Sequence, residues 1–237
     1  MPDHSEPLPH PASNGERPDG YVRVRHAGPA DAATLAAVHC AAALAAYADI
    51  FPATAGKPSP RSLAPSWVAL LTEPTATVLA ATIMAGGSAG RIVGCVAVHD
   101  DATVPTRIIL ARLYVHPRWW RHGIATVLHD LALTIARERG ADAINLWVLT
   151  ANTIARDLYE RRGWRLVPDR SRTNRGDPTI LDVLYQSTLT ATPSTIDAGP
   201  ARVGEDLRDV TGDRTAPLSG ADRSLPPDAV LDGAPER

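Results

Sequence analysis

The sequence predicts an α/β fold with a mixed central sheet, because two kinds of apolar pattern alternate along residues 21–189. Short runs are apolar at every second position or throughout, as in strands, and longer runs are apolar at helical spacing. Gly and Pro residues separate the runs. Their order, β, α, α, β, β, β, α, β, α, β, indicates one mixed sheet packed with helices. With 237 residues and 44% hydrophobic content, the chain can bury one core of ordinary size.

The first half of this region begins with a strand and two helices. Tyr21–Arg25 alternates valine with arginine, which is typical of a half-buried strand. Pro29 and Asp31 precede an Ala-rich run with helical periodicity, which predicts the first helix. Ser59 and Pro60 suit the N-cap and first turn of a second helix.

The remaining elements follow from the same signals. They are a hairpin of Thr77–Ala85 and Arg91–His99, a strand at Arg107–Val115, a helix at Ile124–Arg139, a strand at Ala143–Leu149, a helix at Thr153–Arg162 and a strand at Thr179–Leu189. The Arg-rich stretch Arg170–Arg175 is interpreted as a flexible, solvated connection rather than as the lip of an acceptor site.

The composition predicts the character of both ends of the chain and limits the partners of the protein. Residues 1–20 and 190–237 are rich in Pro, Gly and polar residues without periodicity, and we expect a disordered arm and a disordered tail. A net charge of −2 and a pI near 6.4 disfavour nucleic acid as a partner. No signal-peptide core and no stretch of about 18 apolar residues stands out, so we expect a cytoplasmic protein without a membrane partner. Cys40 and Cys95 lie in apolar runs and predict neither a disulfide framework nor a metal site.

The most informative segment is a strand, a tight loop and a helix start between Leu113 and Ala125. The first turn of a helix has backbone N–H groups without partners and a partial positive charge, so it favours phosphate oxygens. Gly123 permits close approach of an anion, and the small Ala125 keeps the next turn open. Arg118, Arg121 and His122 flank this loop and can add charge-assisted contacts.

This segment resembles the pyrophosphate-binding motif of the Gcn5-related N-acetyltransferases. That motif is Arg or Gln, two free positions, Gly, one free position, then Gly or Ala. Gly123 and Ala125 match it, whereas Trp120 stands where the family has Arg or Gln. Because the loop reads phosphates mainly through backbone N–H groups, the change at Trp120 matters less than loss of Gly123 would.

A second, independently spaced motif supports the resemblance. Asn152, Ala155, Tyr159 and the pair Gly163-Trp164 are similar to the family's Asn, Ala, Tyr, Gly-Phe signature, with Trp in place of Phe. Asn152 and Tyr159 are seven residues apart and therefore share a helix face. Two structural alternatives stay open, namely that Asn152 caps its helix and that Tyr159 packs in the core.

The resemblance implies a single domain at residues 21–189, with helices on both faces of the sheet and a splayed strand pair, Arg107–Val115 and Ala143–Leu149. Acetyl-CoA would lie in the opening, with its thioester carbonyl near the Tyr114–Val115 backbone. Tyr159 is predicted as the catalytic acid that protonates the thiolate. The base is open among His39, Asp49, His99, His116 and a water chain. The predicted cofactor contacts are Leu113, Tyr114, Val115, Arg118, Trp120, Arg121, His122, Gly123, Ile124, Ala125, Asn152 and Tyr159.

The function implied is transfer of an acetyl group from acetyl-CoA to a primary amine of a small molecule or peptide, without a metal. A catalytically silent acyl-CoA-binding regulatory module is the alternative from another class. Such folds often pair through their sheets, so a homodimer is possible.

Overall fold

The structure, a computed structural model, describes residues 22–52, 56–84, 86–174 and 177–189. The predicted arm at residues 1–20 and tail at residues 190–237 lie outside the described residues. The strands are β1 Val22–His26, β2 Thr77–Ile83, β3 Ile92–Asp100, β4 Arg107–Val115, β5 Ala143–Leu149, β6 Arg165–Asn174 and β7 Asp177–Thr188. The helices are α1 Ala32–Ala46, α2 Pro60–Thr72, α3 Ile124–Glu138 and α4 Thr153–Arg161.

The strands form one sheet in the order β1-β2-β3-β4-β5-β7-β6. Every neighbouring pair is antiparallel except β4 and β5, which run parallel and are joined by α3. A parallel pair needs such a crossover because its strands begin at the same edge of the sheet. The predicted mixed sheet is therefore confirmed.

The prediction that Arg170–Arg175 is a flexible connection was wrong for residues 170–174, which belong to β6. This strand lies at the edge of the sheet and pairs with β7. Except for Leu166 and Pro168, its exposed residues are polar. The pairing is interrupted between Leu166 and Ser171, where Pro168 lacks an N–H and Asp169 has a φ of 56°. The alternation that predicts strands is consequently missing. Arg175 lies outside the described residues.

Helices cover both faces of the sheet, as predicted. On one face, α1 and α2 bury Leu35 and Trp67 completely against β2 and β3. On the other, α3 buries Leu128 in the larger core, which also takes Tyr159 and Trp164 from the end of α4 and the turn after it. The sheet thus separates two apolar layers.

The predicted helix boundaries have local causes in the structure. The Ser59 hydroxyl accepts a hydrogen bond from the N–H of Ser62 and caps α2. Gly140, just past α3, has a φ of 72°, which a glycine adopts without strain. Both signals lie within one turn of the helix end, so the sequence displays them directly.

One helical stretch among the described residues, Pro29–Ala46, is long and apolar enough to cross a membrane by composition alone, with a mean hydropathy of 1.3 over 18 residues. The expectation that no stretch has this length and composition was therefore wrong. Its Ala32, Leu35 and Ala36 are buried against the sheet and α2. A core helix of this kind meets the same criterion as a membrane span.

Candidate active site

The sheet opens between β4 and β5. These strands pair only at Arg107–Ala143, Ile108–Ile144 and Ile109–Asn145. Beyond this point β4 continues through Leu110–Val115, about 20 Å at the usual rise per residue. The facing strand edges no longer bond to each other, and their free N–H and C=O groups can pair with an extended amide chain. The predicted splayed strand pair is therefore present.

An extra residue in β4 bends this strand near the point where it separates from β5. Arg112 pairs with Ala97 of β3, while Leu110 pairs with the next residue, Val98, so that Ala111 has no partner in β3. Such a β-bulge bends the strand and increases its local twist. It also shifts the alternation of side chains, so Leu110 and Leu113 both face the core beneath α3.

Beyond the bulge, two polar side chains of β4 point to the α1 and α2 face. The guanidinium of Arg112 lies 4.3 Å from the ring centre of Trp67 in α2 and is only 3% exposed. Burial lowers the pKa of Arg112. Tyr114 stacks on His39 of α1 with 3.9 Å between ring centres. These four side chains form an aromatic and basic cluster between the sheet and the helices α1 and α2, which no sequence motif indicated.

The loop from β4 to α3 has the backbone conformation that its glycine predicts. Gly123 is the residue before α3 and has a φ of 79°, and Arg121 two positions earlier has a φ of 65°. A side chain disfavours this left-handed conformation by about 1–2 kcal/mol, which explains why one of the two positions is glycine. A Cβ at Gly123 would meet nothing within 4 Å, so the space above the loop is open.

The start of α3 presents unpaired donors. After the N–H of Trp120, which bonds to Pro117, the next backbone N–H that donates within the described chain is that of Val127. The N–H groups of residues 121–126 are therefore available to an external acceptor. Together with the partial charge of the helix N-terminus, they favour a phosphate group.

Aromatic and imidazole side chains hold this loop internally. The indole N–H of Trp120 donates to the carbonyl oxygen of Val115 over 2.6 Å. His122 Nδ1 lies 2.8 Å from the carbonyl oxygen of Trp120. His116 Nδ1 accepts from the N–H of Arg118 over 3.3 Å. Trp120, where the family has Arg or Gln, therefore fixes the loop that carries the donors.

The other predicted contacts divide by burial. Val115 and Ile124 are buried, Leu113 and Ala125 are partly buried, and all four pack in the core beneath the loop. Arg118 and Arg121 are exposed beside it. The aliphatic residues offer only backbone groups at the cleft, whereas the arginines can reach an anion with their side chains.

The second motif lies at the start and the end of α4. The side chain of Asn152 accepts a hydrogen bond from the N–H of Ala155 over 3.2 Å and so caps the helix. Tyr159 is 7% exposed and its ring centre lies 5.5 Å from that of Trp164. Both structural alternatives, capping and core packing, therefore occur. Neither prevents a role at the cleft.

The hydroxyl of Tyr159 is in a setting that keeps it protonated. It makes no hydrogen bond to another residue in the part of the chain that the structure describes. Burial, and to a lesser degree the neighbouring Tyr47, raises the pKa of Tyr159 above its usual value near 10. The same causes raise the pKa of Tyr114. Tyr159 therefore holds a proton that it can donate.

The candidate bases lie at different places. His39 is buried beneath Tyr114, Asp49 follows α1, and His116 begins the loop before α3. His99 pairs with Ile109 at the far end of β4, about 20 Å from the loop. No group of three or more His, Cys, Asp or Glu side chains within the described ranges is arranged to hold a metal ion.

A buried histidine next to the second motif was missed from the sequence. His129 of α3 has no exposed surface, and its Nε2 accepts the indole N–H of Trp164 over 2.8 Å. Its Nδ1 lies 2.8 Å from Nε of Arg162 and 3.1 Å from Oδ1 of Asp130, and Arg162 and Asp130 also form an ion pair. Burial lowers the pKa of His129. The Trp that replaces the family's Phe thus has a buried acceptor.

Residues 43–164, just over half of the chain, match the model of the acetyltransferase (GNAT) family. The chain belongs to this family. The matched region runs from the end of α1 to Trp164 and includes both the Gly123 loop and the α4 motif.

Solved GNAT structures have the same fold at low identity. PaiA N-acetyltransferase from Thermoplasma acidophilum, in complex with coenzyme A, is 20% identical, with a TM-score of 0.54 over 71% of this chain and 99% of that one. The ribosomal-protein-S18-alanine N-acetyltransferase from Escherichia coli is 15% identical, with a TM-score of 0.53 over 74% and 99%. YncA from Salmonella typhimurium, with acetyl-CoA, is 14% identical, with a TM-score of 0.54 over 75% and 99%. No curated protein matched the chain.

Family membership confirms three predictions made from the sequence. The protein has the GNAT fold, it is an acyltransferase, and acetyl-CoA is the donor used by its family. The contacts of individual residues with acetyl-CoA and the identity of the acceptor stay predictions.

Proposed function

We propose that the enzyme acetylates a primary amine of a small molecule or peptide by direct attack on acetyl-CoA in a ternary complex. The observation that carries the proposal is the short pairing of β4 with β5, which opens beside the unpaired N–H groups of residues 121–126. A donor with a diphosphate and an extended amide arm matches both features.

Each predicted contact has a distinct role in this proposal. The backbone of Leu113, Tyr114 and Val115 would pair with the amide arm. The N–H groups from Arg121 to Ala125 would bind the diphosphate, with Arg118 and Arg121 adding charge and Trp120 and His122 holding the loop. The side-chain oxygen of Asn152 already accepts the bond that caps α4, and its side-chain NH₂ group would donate to acetyl-CoA.

Tyr159 is the proposed catalytic acid. In the reaction the amine nitrogen forms a bond to the acetyl carbon, the carbon–sulfur bond breaks, and the amine loses a proton while the thiolate gains one. A phenol with a raised pKa is protonated at neutral pH and can supply the proton to sulfur. We assign no residue as the base.

Thermal unfolding with acetyl-CoA, CoA or ATP tests the donor site. A ligand at 100 times its dissociation constant adds about 2.7 kcal/mol, which corresponds to a midpoint rise on the order of 5–10 °C. We expect a rise with both CoA species and none with ATP. Equal rises with ATP, or none at all, would contradict the proposed donor site.

A panel of primary amines then tests the reaction, with release of free CoA thiol as the measurement. We expect at least one small amine or peptide N-terminus to accelerate thiol release above hydrolysis. Tight CoA binding without turnover of any amine would instead favour the catalytically silent module.

A further inference from the structure

A cavity of about 400 Å³ lies on the opposite side of β4 from the cleft. It is beside β3, whereas the cleft is beside β5, and β4 lies between these two strands. Its volume is at the lower end for small-molecule sites. The cavity is lined by Arg25, Asp31, Thr34, Ala37, Val38, Gly90, Arg91, Ile92 and His116.

One pair of charges in the wall is already satisfied. The guanidinium of Arg25 forms two hydrogen bonds to the carboxylate of Asp31, at 2.8 and 2.9 Å. Asp31 also accepts from the N–H of Gly28 over 3.0 Å. Among the described residues that line the cavity, Asp31 has the only carboxylate, and its hydrogen bonds to Arg25 and Gly28 leave a cation no free partner there.

Two other side chains in the wall, those of Arg91 and His116, can donate hydrogen bonds to a ligand. The side chain of Arg91 makes no hydrogen bond within the described part of the chain. His116 uses Nδ1 to accept from the N–H of Arg118, so in the neutral ring the proton is on Nε2. Burial, followed by the charges of Arg118 and Arg91, lowers the pKa of His116. The positive potential at His116 favours an anion.

Apart from Thr34 and Gly90, the rest of the wall is apolar. Its aliphatic side chains are Ala37 and Val38 of α1 and Ile92 at the start of β3. A guanidinium matches a carboxylate through two parallel hydrogen bonds, and an aliphatic body suits the remaining surface. The lining therefore combines one anion-binding end with an apolar side.

From this arrangement we propose that the cavity is a second ligand site, which binds a small monocarboxylate with an apolar body through Arg91 and His116. The site is separate from the acetyl-CoA cleft, and the proposal does not depend on the acceptor. Because His116 is also the first residue of the loop before α3, the ligand would contact the segment that carries the phosphate-binding donors.

Calorimetric titration with sodium hexanoate tests the site, with hexanamide as the uncharged probe of the same shape. We expect saturable binding of hexanoate, no measurable binding of hexanamide, and hexanoate binding that persists with saturating CoA. Arg91→Gln should weaken hexanoate binding tenfold or more, since a hydrogen bond to a charged group is lost. Ala37→Leu should abolish it by filling the apolar side.

Arg61→Gln is the matched control, because Arg61 is an exposed arginine at the start of α2 outside the cavity. It should bind hexanoate like the wild type. Arg91 and Ala37 are themselves exposed, so their variants should fold normally, which the CoA-induced midpoint rise verifies. Absence of saturable hexanoate binding, equal affinity for hexanamide, competition by CoA, or unchanged affinity in Arg91→Gln would each overturn the proposal.

Discussion

Trp164 donates its indole N–H to Nε2 of His129 over 2.8 Å, and both side chains are almost fully buried. The bond joins α3 to the turn after α4, residues that are 35 positions apart. It places the tryptophan ring against Tyr159, the proposed acid. The contact therefore connects the stability of the core with the position of a candidate catalytic group.

His129→Leu should lower the free energy of unfolding by about 1–3 kcal/mol, because it leaves a buried indole N–H without an acceptor. Chemical denaturation of both proteins measures the difference. The double variant with Trp164→Phe lacks the buried indole donor and should lose less than the sum of the two single changes. Strict additivity would show that the two side chains do not interact.

Stability should fall on acidification because His129 is buried in its neutral form. Its pKa in the folded protein lies below the ordinary value of 6.5, chiefly through desolvation, with Arg162 lowering it and Asp130 raising it. The unfolded chain therefore binds more protons below about pH 6.5. The stabilisation from neutral His129 is complete above that pH and is lost as the pH falls towards the folded pKa.

Denaturation of the wild type and of His129→Gln at a series of pH values from about 7.5 to about 5 measures this effect. Glutamine can accept the indole hydrogen bond at every pH, so the variant should show a shallower decline. Parallel curves would mean that other groups, such as His116, account for the acid sensitivity.

Gly123→Ala should weaken CoA binding as well as stability. The φ of 79° makes a Cβ unfavourable by about 1–2 kcal/mol. If the backbone relaxes to relieve this strain, the N–H groups of the loop change their direction and no longer point at the phosphates. Gly140→Ala is the matched control, since Gly140 has a φ of 72° and an equally open Cβ position at the other end of α3. Both should lose similar stability without ligand, and only Gly123→Ala should lose CoA affinity. Equal CoA affinity in both would contradict the loop assignment.

Tyr159→Phe should lower kcat by about 10² or more and leave KM for acetyl-CoA nearly unchanged, because only the proton donor is removed. The rate of CoA thiol release, with an amine that the panel identifies as a substrate, measures kcat and KM. Tyr185→Phe is the control, since its hydroxyl bonds to Arg156 and Glu160. It should reduce stability without a comparable change in kcat. An unchanged kcat in Tyr159→Phe would refute the acid role.

Gly94→Ala should destabilise the protein by about 1–3 kcal/mol through overpacking. A Cβ on Gly94 would lie 3.1 Å from side-chain atoms of Ile124 and Leu128 and 3.2 Å from the carbonyl oxygen of Tyr114. The side chains of Ile124 and Leu128 can shift, but the carbonyl of Tyr114 is held in β4, the strand that borders the cleft. Denaturation midpoints measure the loss. An increase in stability would show that α3 moves away without penalty.

The sequence by itself determined the elements whose signals are local. The bounds predicted for β4 and β5, Arg107–Val115 and Ala143–Leu149, agree with the structure, since continuous apolar runs with flanking breaks mark buried strands. Gly123 and the α4 motif were also visible, because backbone conformation at one residue and spacing along one helix need no partner.

Only the tertiary structure decided what depends on pairing between distant segments. β6 carries no apolar alternation and exists because β7 pairs with it. The unpaired Ala111 that bends β4 follows from its register with β3. The Trp164–His129 bond and the cavity beside β3 join residues far apart in the chain. The free energy of such features comes from contacts, and a linear pattern does not contain them.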